Sequence, residues 1–494
     1  MSAALIRAAS PSGRWMVAAS VLGSGAVFLE STVVNVALPA LGRDFGLRLE
    51  GLQWVVNGYL LTLSALMLLG GALGDAYRRC RIFVMGALGF AATSVLAALA
   101  PTVEVLVAVR LAQGAAAALL VPNSLALLDT AFVEEDRGAA IGHWAGWSGI
   151  STALGPLVGG WLVEAASWRW VFAVVVPFAL LAAWIASRRI ADPPGGGRGA
   201  GAVDYPGAVL ATAGLTGVVG ALMSGTGGGF DRPAVWGAGM GGVALLAAFL
   251  LREHRAPSPL LPLSLFRSRA FSGANLVTLL VYAALGGVFF FLVLQLQNVL
   301  GYTPLAAGAA LLPVNVLLLL LSPSAGRLGQ RIGPRWPMAA GTLLAAGGML
   351  LLARVQPGSG YLDTLLPATT VFGVGLAAAV APLTAAVLGA VPDEFSGVAS
   401  AVNNAAARLA GLLATAALPL LVGLGGVEAL TGPAFSAGFA RAMWIGAGLC
   451  AAATVLTLLT VRGGAAVVVA AHPSPQQGCT QQRPVRPGPG DAGS

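Results

Sequence analysis

Residues 270–326 read AFSGANLVTLLVYAALGGVFFFLVLQLQNVLGYTPLAAGAALLPVNVLLLLLSPSAG, with no charged side chain between Arg269 and Arg327. A helix needs about 20 apolar residues to cross roughly 30 Å of hydrocarbon. The stretch is therefore too long for one span and long enough for two. Gly301-Tyr302-Thr303-Pro304 divides it, because Gly and Pro interrupt regular structure. Backbone polar groups find no water in lipid, so both pieces are expected to be helices.

The same punctuation by charge runs along the whole chain. Arg14 to Arg43 holds only Glu30. Residues 51–74 and 82–103 hold no charge, and Glu104 to Asp129 holds only Arg110. Residues 138–163, 170–187, 205–230, 233–251, 336–353, 364–392 and 442–461 are uncharged, and Glu394 to Glu428 holds only Arg408. The count is about fourteen candidate spans. Composition agrees: 57% of residues are hydrophobic and 9% charged, against about a quarter charged in soluble domains.

Every one of the 27 basic residues is Arg, and the net charge is +8. A basic chain can signal nucleic acid, but these Arg residues stand at the ends of apolar runs. They cluster after the second (Arg78, Arg79, Arg81), sixth (Arg188, Arg189, Arg198), eighth (Arg252, Arg255, Arg267, Arg269) and tenth (Arg327, Arg331, Arg335) segments, all on one side of a fourteen-span chain. Arg7, Arg14 and Arg462 fall on that side too. The opposite loops hold few, such as Arg43, Arg48 and Arg232. The positive-inside rule then places both termini in the cytoplasm. The first apolar run continues through Glu30 to Leu41, too long for a signal peptide, and is read as a retained span.

Without Lys there is neither a phosphate-binding GxxxxGK[ST] loop nor a Schiff-base residue. His143, His254 and His472 lack metal-ligand spacing, and Cys80, Cys450 and Cys479 imply no disulfide framework. No cofactor, metal, nucleic acid or catalytic constellation is expected, and the chain is not expected to be an enzyme. Residues 192–204 read as a flexible linker, and the Pro-, Gln- and Gly-rich tail 463–494 as a disordered cytoplasmic segment.

Gly71-Ala72-Leu73-Gly74-Asp75 before an Arg cluster recurs weakly as Gly326-Arg327-Leu328-Gly329-Gln330 before Arg331 and Arg335. Counted from this repeat, the chain is six helices (1–190), a linker with two extra helices (191–255) and six helices (256–462). Such repeats are typical of secondary transporters, with substrate bound between the halves near mid-membrane.

Four motifs carry a specific resemblance, from about Trp15 to Arg462. Leu29-Glu30-Ser31-Thr32-Val33-Val34-Asn35-Val36-Ala37-Leu38-Pro39 resembles L-D-x-T-I-V-N-V-A-L-P, with Glu for Asp. Gly71-Ala72-Leu73-Gly74-Asp75-Ala76-Tyr77-Arg78-Arg79-Cys80-Arg81 resembles G-x-L-x-D-R-x-G-R-R, departing at Ala76 and Arg78. Arg110-Leu111-Ala112-Gln113-Gly114 resembles R-x-x-Q-G. Ser151-Thr152-Ala153-Leu154-Gly155-Pro156-Leu157-Val158-Gly159-Gly160 resembles G-x-x-x-G-P-x-x-G-G, with Ser leading. Leu296-Gln297-Asn298-Val299-Leu300-Gly301-Tyr302 and Trp168-Arg169-Trp170-Val171-Phe172 fit as well. The chain thus resembles the major facilitator superfamily, specifically its fourteen-spanner drug:proton antiporters.

The resemblance implies an all-α fold of 6 + 2 + 6 membrane helices and export of small amphipathic drugs or natural products in exchange for protons, by alternating access. Glu30 and Arg110 would serve proton coupling. A carboxylate inside a span is costly, and desolvation and a nearby Arg pull its protonation in opposite senses. Gly71, Asp75, Arg79 and Arg81 would form a gate loop. Gly155, Pro156, Gly159 and Gly160 form the antiporter motif, whose small residues allow close helix contact and whose Pro removes a backbone bond. Asn35, Gln113, Gln297, Asn404 and Arg408 are cavity candidates. The expected partners are a small-molecule substrate, protons and the lipid bilayer, and the expected setting is a monomer in a bacterial plasma membrane. With Glu30 the one acid deep in a span, neutral or monocationic substrates are expected. An uptake symporter of the same fold and a non-transporting membrane sensor or channel are the alternatives.

Overall fold

The computed structural model describes residues 6–190, 203–226, 229–257, 259–392, 395–424 and 432–461. Most of the linker, including Arg198, lies outside the described residues, as do the tail with Arg462, Glu394, Glu428, His472 and Cys479. Long helices follow one another: α1 Pro11–Phe45, α2 Leu49–Ala76, α3 Arg79–Ala98, α4 Val103–Ala131, α5 Glu134–Ala165, α6 Trp170–Arg189, α7 Tyr205–Thr226, α8 Pro233–Arg255, α9 Arg269–Val299, α10 Pro304–Ile332, α11 Arg335–Leu352, α12 Tyr361–Leu388, α13 Ser396–Leu421 and α14 Gly432–Thr460.

Among the described residues, twelve of these helices are long and apolar enough to cross a bilayer, against about fourteen charge-poor segments in the sequence. The two that fall short are α5 and α11. Helix α5 opens on Glu134-Glu135-Asp136-Arg137 and is diluted by Gly, Ser and His143. Helix α11 has only 18 residues and starts Arg335-Trp336-Pro337. Absence of charge is a weaker property than apolarity, and these two helices meet the first without reaching the second. The chain is an all-helical membrane protein with outward-facing apolar side chains such as Leu99, Met240 and Leu459, each at least 70% exposed, as lipid contact allows.

Local chemistry sets the helix ends. Ser10 caps α1 by accepting from the Gly13 amide, with Pro11 at the first position, and Gly46 closes the helix at φ +62°. Thr102 and Ser268 cap α4 and α9 in the same way. Side-chain oxygens there satisfy amides that have no partner within the helix. The break in 270–326 forms as a π-helical turn at Gln295–Val299, Gly301 at φ +72°, and Thr303 capping the Ala306 amide before Pro304. Helix α14 starts well before the uncharged segment 442–461 and takes in Arg441, whose Nε donates to the Ala437 carbonyl.

Helices α1–α6 pack on one another, with α2 on α4, α1 on α5 and α3 on α4. Helices α9–α14 form a second group, with α11 on α12, α10 on α12 and α9 on α14. The groups meet along two seams, α5 against α10 and α2 against α13. These are the fifth helix of one group against the second of the other, and the reverse, as a twofold relation between groups requires. Helices α7 and α8 pair with each other, and α7 rests on both α2 and α13.

Candidate functional site

Glu30 and Arg110 form an ion pair inside the first group. Arg110 Nη1 donates to Glu30 Oε1, and the side chains are 2% and 0% exposed for Arg110 and Glu30. Arg110 also donates from Nε to the Val55 carbonyl (3.0 Å) and from Nη1 to Gln113 Oε1 (2.7 Å). Gln113 Nε2 continues to Ser94 Oγ (2.9 Å). The guanidinium lies 4.3 Å from the Tyr59 ring centroid and 5.7 Å from that of Phe172. Arg110 is thus embedded rather than reaching for the interface. At this pair, two buried polar atoms have no hydrogen-bond partner among the described residues, Glu30 Oε2 and the Tyr59 hydroxyl. Gln113 is part of the pair's support and is fully buried, so it lines no open space.

The gate-loop residues gather at the end of the molecule where α2 turns into α3. Asp75 Oδ1 accepts from Arg79 Nε (2.9 Å) and Nη2 (2.6 Å), and Arg79 Nη1 reaches the Ala126 carbonyl of α4 (3.2 Å). Asp75 is 54% exposed, and Arg81 is exposed. The close helix approach falls beside Gly71 rather than at it. A Cβ on Gly74 would collide with the Asn123 side chain and one on Gly70 with the Ala118 carbonyl, whereas one on Gly71 would meet Pro122 at an ordinary 3.8 Å. Asn123 Nδ2 donates to the Gly70 carbonyl (2.8 Å).

The antiporter motif occupies two faces of α5. Gly155 and Gly159 press on α1, where a Cβ would strike the Thr32 side chain and the Val33 carbonyl respectively. Thr32 Oγ1 also donates to the Thr152 carbonyl (3.3 Å). Gly160 faces the Pro304 carbonyl and Leu305 of α10, and the Pro156 carbonyl faces Gly308. The motif is therefore half of the α5–α10 seam.

Among the described residues, the hydrogen bonds that join the two groups run from mid-helix, where Asn315 Nδ2 donates to the Ala153 carbonyl (3.5 Å), to the Gly160 end of the molecule. Gln297 Nε2 donates to the Val36 carbonyl (2.9 Å), the Leu305 amide to Glu164 Oε2 (3.1 Å) and Gln53 Nε2 to the Thr415 carbonyl (2.7 Å). Thr415 Oγ1 donates to Asn57 Oδ1. Gln297 is thus a clasp between groups. Toward the Asp75 end the seams part. On α5, the face that carries Pro156 and Gly160 continues at helical spacing through Gly149, Gly146 and Gly142, where a Cβ would meet nothing within 4 Å. On α13, the face that carries Thr415 continues through Gly411, Arg408, Asn404 and Gly397. Asn404 and Gly397 are exposed. Arg408 stands where the seam opens, its guanidinium 5.1 Å from the Phe28 ring centroid of α1. Asn35 is half-buried and its Nδ2 turns back to the Ser31 carbonyl (3.5 Å).

Two helix groups are thus closed at one end and parted at the other, with an ion pair sealed in one of them. A family model described as Major Facilitator Superfamily matches residues 20–415, and again 274–488. The chain belongs to the major facilitator superfamily. It is a membrane transporter rather than an enzyme. It is 39% identical to "Puromycin resistance protein pur8" of Streptomyces alboniger, over 79% of this chain and 78% of that one. It is 35% identical to "Tetracenomycin C resistance and export protein" of Streptomyces glaucescens, over 80% of this chain and 73% of that one. The crystal structure of a D-xylose-proton symporter superposes with a TM-score of 0.64 at 15% identity, over 91% of this chain and 98% of that chain, a likeness of fold alone.

Several residues that join the helices lie outside the motifs. Gln53 and Asn57 clasp α13 from a segment marked in the sequence only by its lack of charge, although two amides four residues apart share one helix face. Asn57 also donates to Met223 Sδ of α7 (3.1 Å). Asp44 accepts from Trp168 Nε1 (2.8 Å) and Arg169 Nη1 (3.2 Å), which ties the end of α1 to the start of α6 and accounts for the Trp168-Arg169 sequence.

Proposed function

We propose that this transporter exports small amphipathic molecules in exchange for protons, by rocking of the α1–α6 group against the α9–α14 group. The observation that carries the reading is the sealed Glu30–Arg110 pair. A carboxylate held this far from water, with one oxygen unpartnered, is a group whose charge the surrounding helices must answer. Protonation of Glu30 removes its attraction for Arg110 and leaves the guanidinium to Gln113 and the Val55 carbonyl. The relief alters how α1 and α4 fit together. Because α1 also packs on α5 through Gly155 and Gly159, the change reaches the α5–α10 seam.

Export is supported by the names of the relatives, both resistance proteins and one of them an export protein. Fourteen spans are part of the proposal. Helices α5 and α11 are too polar or too short to count by hydropathy, yet both are packed into their groups as their neighbours are. Counting α5 and α11 as spans keeps the Arg-rich turns together on one side. Both termini are then cytoplasmic, the membrane is a bacterial plasma membrane, and residues 1–190, 191–255 and 256–462 are the functional divisions.

The test is a panel of amphipathic antibiotics, puromycin and tetracenomycin C among them, given to proteoliposomes loaded with a pH-sensitive dye. Substrate addition should move protons in the direction opposite to substrate. Co-directional movement would make the protein a symporter, and substrate flux without any proton movement would remove coupling altogether.

A further inference from the structure

We propose that Arg408, with Asn404 and the Phe28–Trp144 aromatic pair, forms a binding subsite for the acidic group of an anionic aromatic molecule. The proposal rests on the transporter reading above and names the substrate class. Arg408 sits near the middle of α13, where an unpaired charge is expensive. Among the described residues no carboxylate lies within ion-pair distance of its guanidinium, which stands 5.1 Å from the Phe28 ring centroid and close enough to Tyr59 and Tyr282 to act on them by charge. Trp144 stands edge-on to Phe28 at 6.2 Å. Asn404, one turn from Arg408 toward the parted end, is exposed; its Nδ2 donates one N–H to the Ser400 carbonyl (3.0 Å) and has a second N–H to offer an anion.

Charge decides the class of ligand. The sequence alone suggested neutral or monocationic substrates, because Glu30 is the one acid deep in a span. In the structure that carboxylate is fully enclosed and matched by Arg110, so it offers nothing to a ligand between the groups. The charge left at the apex of the opening is positive. A carboxylate, phenolate or sulfonate would meet the planar guanidinium fork with two hydrogen bonds, and the attached ring would lie against Phe28 and Trp144.

Fluorescein and rhodamine 123 share a xanthene core and carry opposite charge. Equilibrium binding of each to the purified full-length protein in detergent, read by fluorescence anisotropy, needs neither a gradient nor export and is therefore independent of the coupling proposal. The wild type should bind fluorescein in preference to rhodamine 123. Arg408→Gln should weaken fluorescein about tenfold or more, the loss of one charge-assisted contact. Arg408→Lys should recover part of that loss, which separates charge from folding, and Arg408→Glu should reverse the preference. Tighter binding of rhodamine 123 by the wild type, binding of neither dye, or an Arg408→Gln variant that keeps its fluorescein affinity would each overturn the proposal. If export fails in proteoliposomes while the dye preference holds, the transport reading falls and the subsite stands.

Discussion

Arg110 donates to Glu30 across the α1–α4 contact, and neither side chain is more than 2% exposed. Removing one member of such a pair leaves the other buried and unmatched, which costs about 3–5 kcal/mol. Glu30→Gln keeps the shape and holds the position permanently neutral. We expect a lower unfolding temperature in detergent, loss of proton-driven accumulation, and retained downhill exchange of substrate. The double variant Glu30→Gln, Arg110→Gln should recover much of the stability without recovering coupling, because no unmatched charge remains. Glu30→Asp should retain partial accumulation. Uphill transport by Glu30→Gln at the normal rate, with a pH gradient as the driving force, would remove Glu30 from the coupling site.

One stripe of α5 supplies a pair of opposite expectations. Gly160 already touches Pro304 of α10, so Gly160→Ala must push the seam apart. Forcing extra volume into a packed contact costs about 1–3 kcal/mol. Gly146 lies on the same stripe with open space before it, and Ala there favours the helix by up to about 1 kcal/mol. If the groups rock, Gly146 meets α10 when the parted end closes. Gly160→Ala should therefore shift the population toward opening at the Glu164 end, and Gly146→Ala toward the conformation described here. Spin-label distances between α5 and α10, taken at both ends, would read the two shifts. Identical distance distributions in both variants would refute the rocking scheme.

What the sequence disclosed and what it hid follow from the range of the signals. Glu30 and Arg110 stand out as charges in apolar runs, so both were legible singly. Their pairing spans 80 positions, and no local pattern encodes it. The glycines of the gate loop were legible as a set, but contact selects one face of α2. Gly70 and Gly74, four apart, meet α4, while Gly71 sits beside the contact. Gln297 was readable as a polar group in a span, but whether it lined a cavity or clasped Val36 depended on how the two groups close. The break at Gly301-Tyr302-Thr303-Pro304 was fully legible because turn, cap and Pro all act within a few residues.

Asp75 and Arg79 make the other kind of ion pair, at 2.6 Å but 54% and 23% exposed. Exposed pairs contribute about 0–1 kcal/mol. Asp75→Asn should therefore leave the unfolding temperature within a degree or two. Its effect belongs to the conformational equilibrium, since Arg79 also ties α3 to the Ala126 carbonyl of α4 at the end that must close. We expect slowed turnover with substrate affinity largely intact. Measured affinity and turnover separate the outcomes, and a variant that loses binding while turning over normally would show that Asp75 does not act on the gate.

The α7–α8 pair meets both groups at one place. Met223 of α7 is fully buried, packs with Val219, Leu61 of α2 and Leu412 and Ala416 of α13, and accepts from Asn57 Nδ2. Asn57 in turn accepts from Thr415, so one cluster joins α2, α7 and α13. The contact fastens α7 to the seam that must open when the molecule rocks. Met223→Ala removes buried volume, for which about 2–5 kcal/mol is usual in a core, and leaves Asn57 Nδ2 without its sulfur partner. Met223→Leu keeps most of the volume and removes the acceptor alone. If α7 braces the closed seam, Met223→Ala should raise the reactivity of a cysteine placed at Gln53 toward a water-soluble thiol reagent, in a background lacking Cys80, Cys450 and Cys479. Met223→Leu should raise it less. Equal and unchanged reactivity in the two variants, alongside a lowered unfolding temperature for Met223→Ala, would make α7 a stabilising neighbour that does not govern the seam.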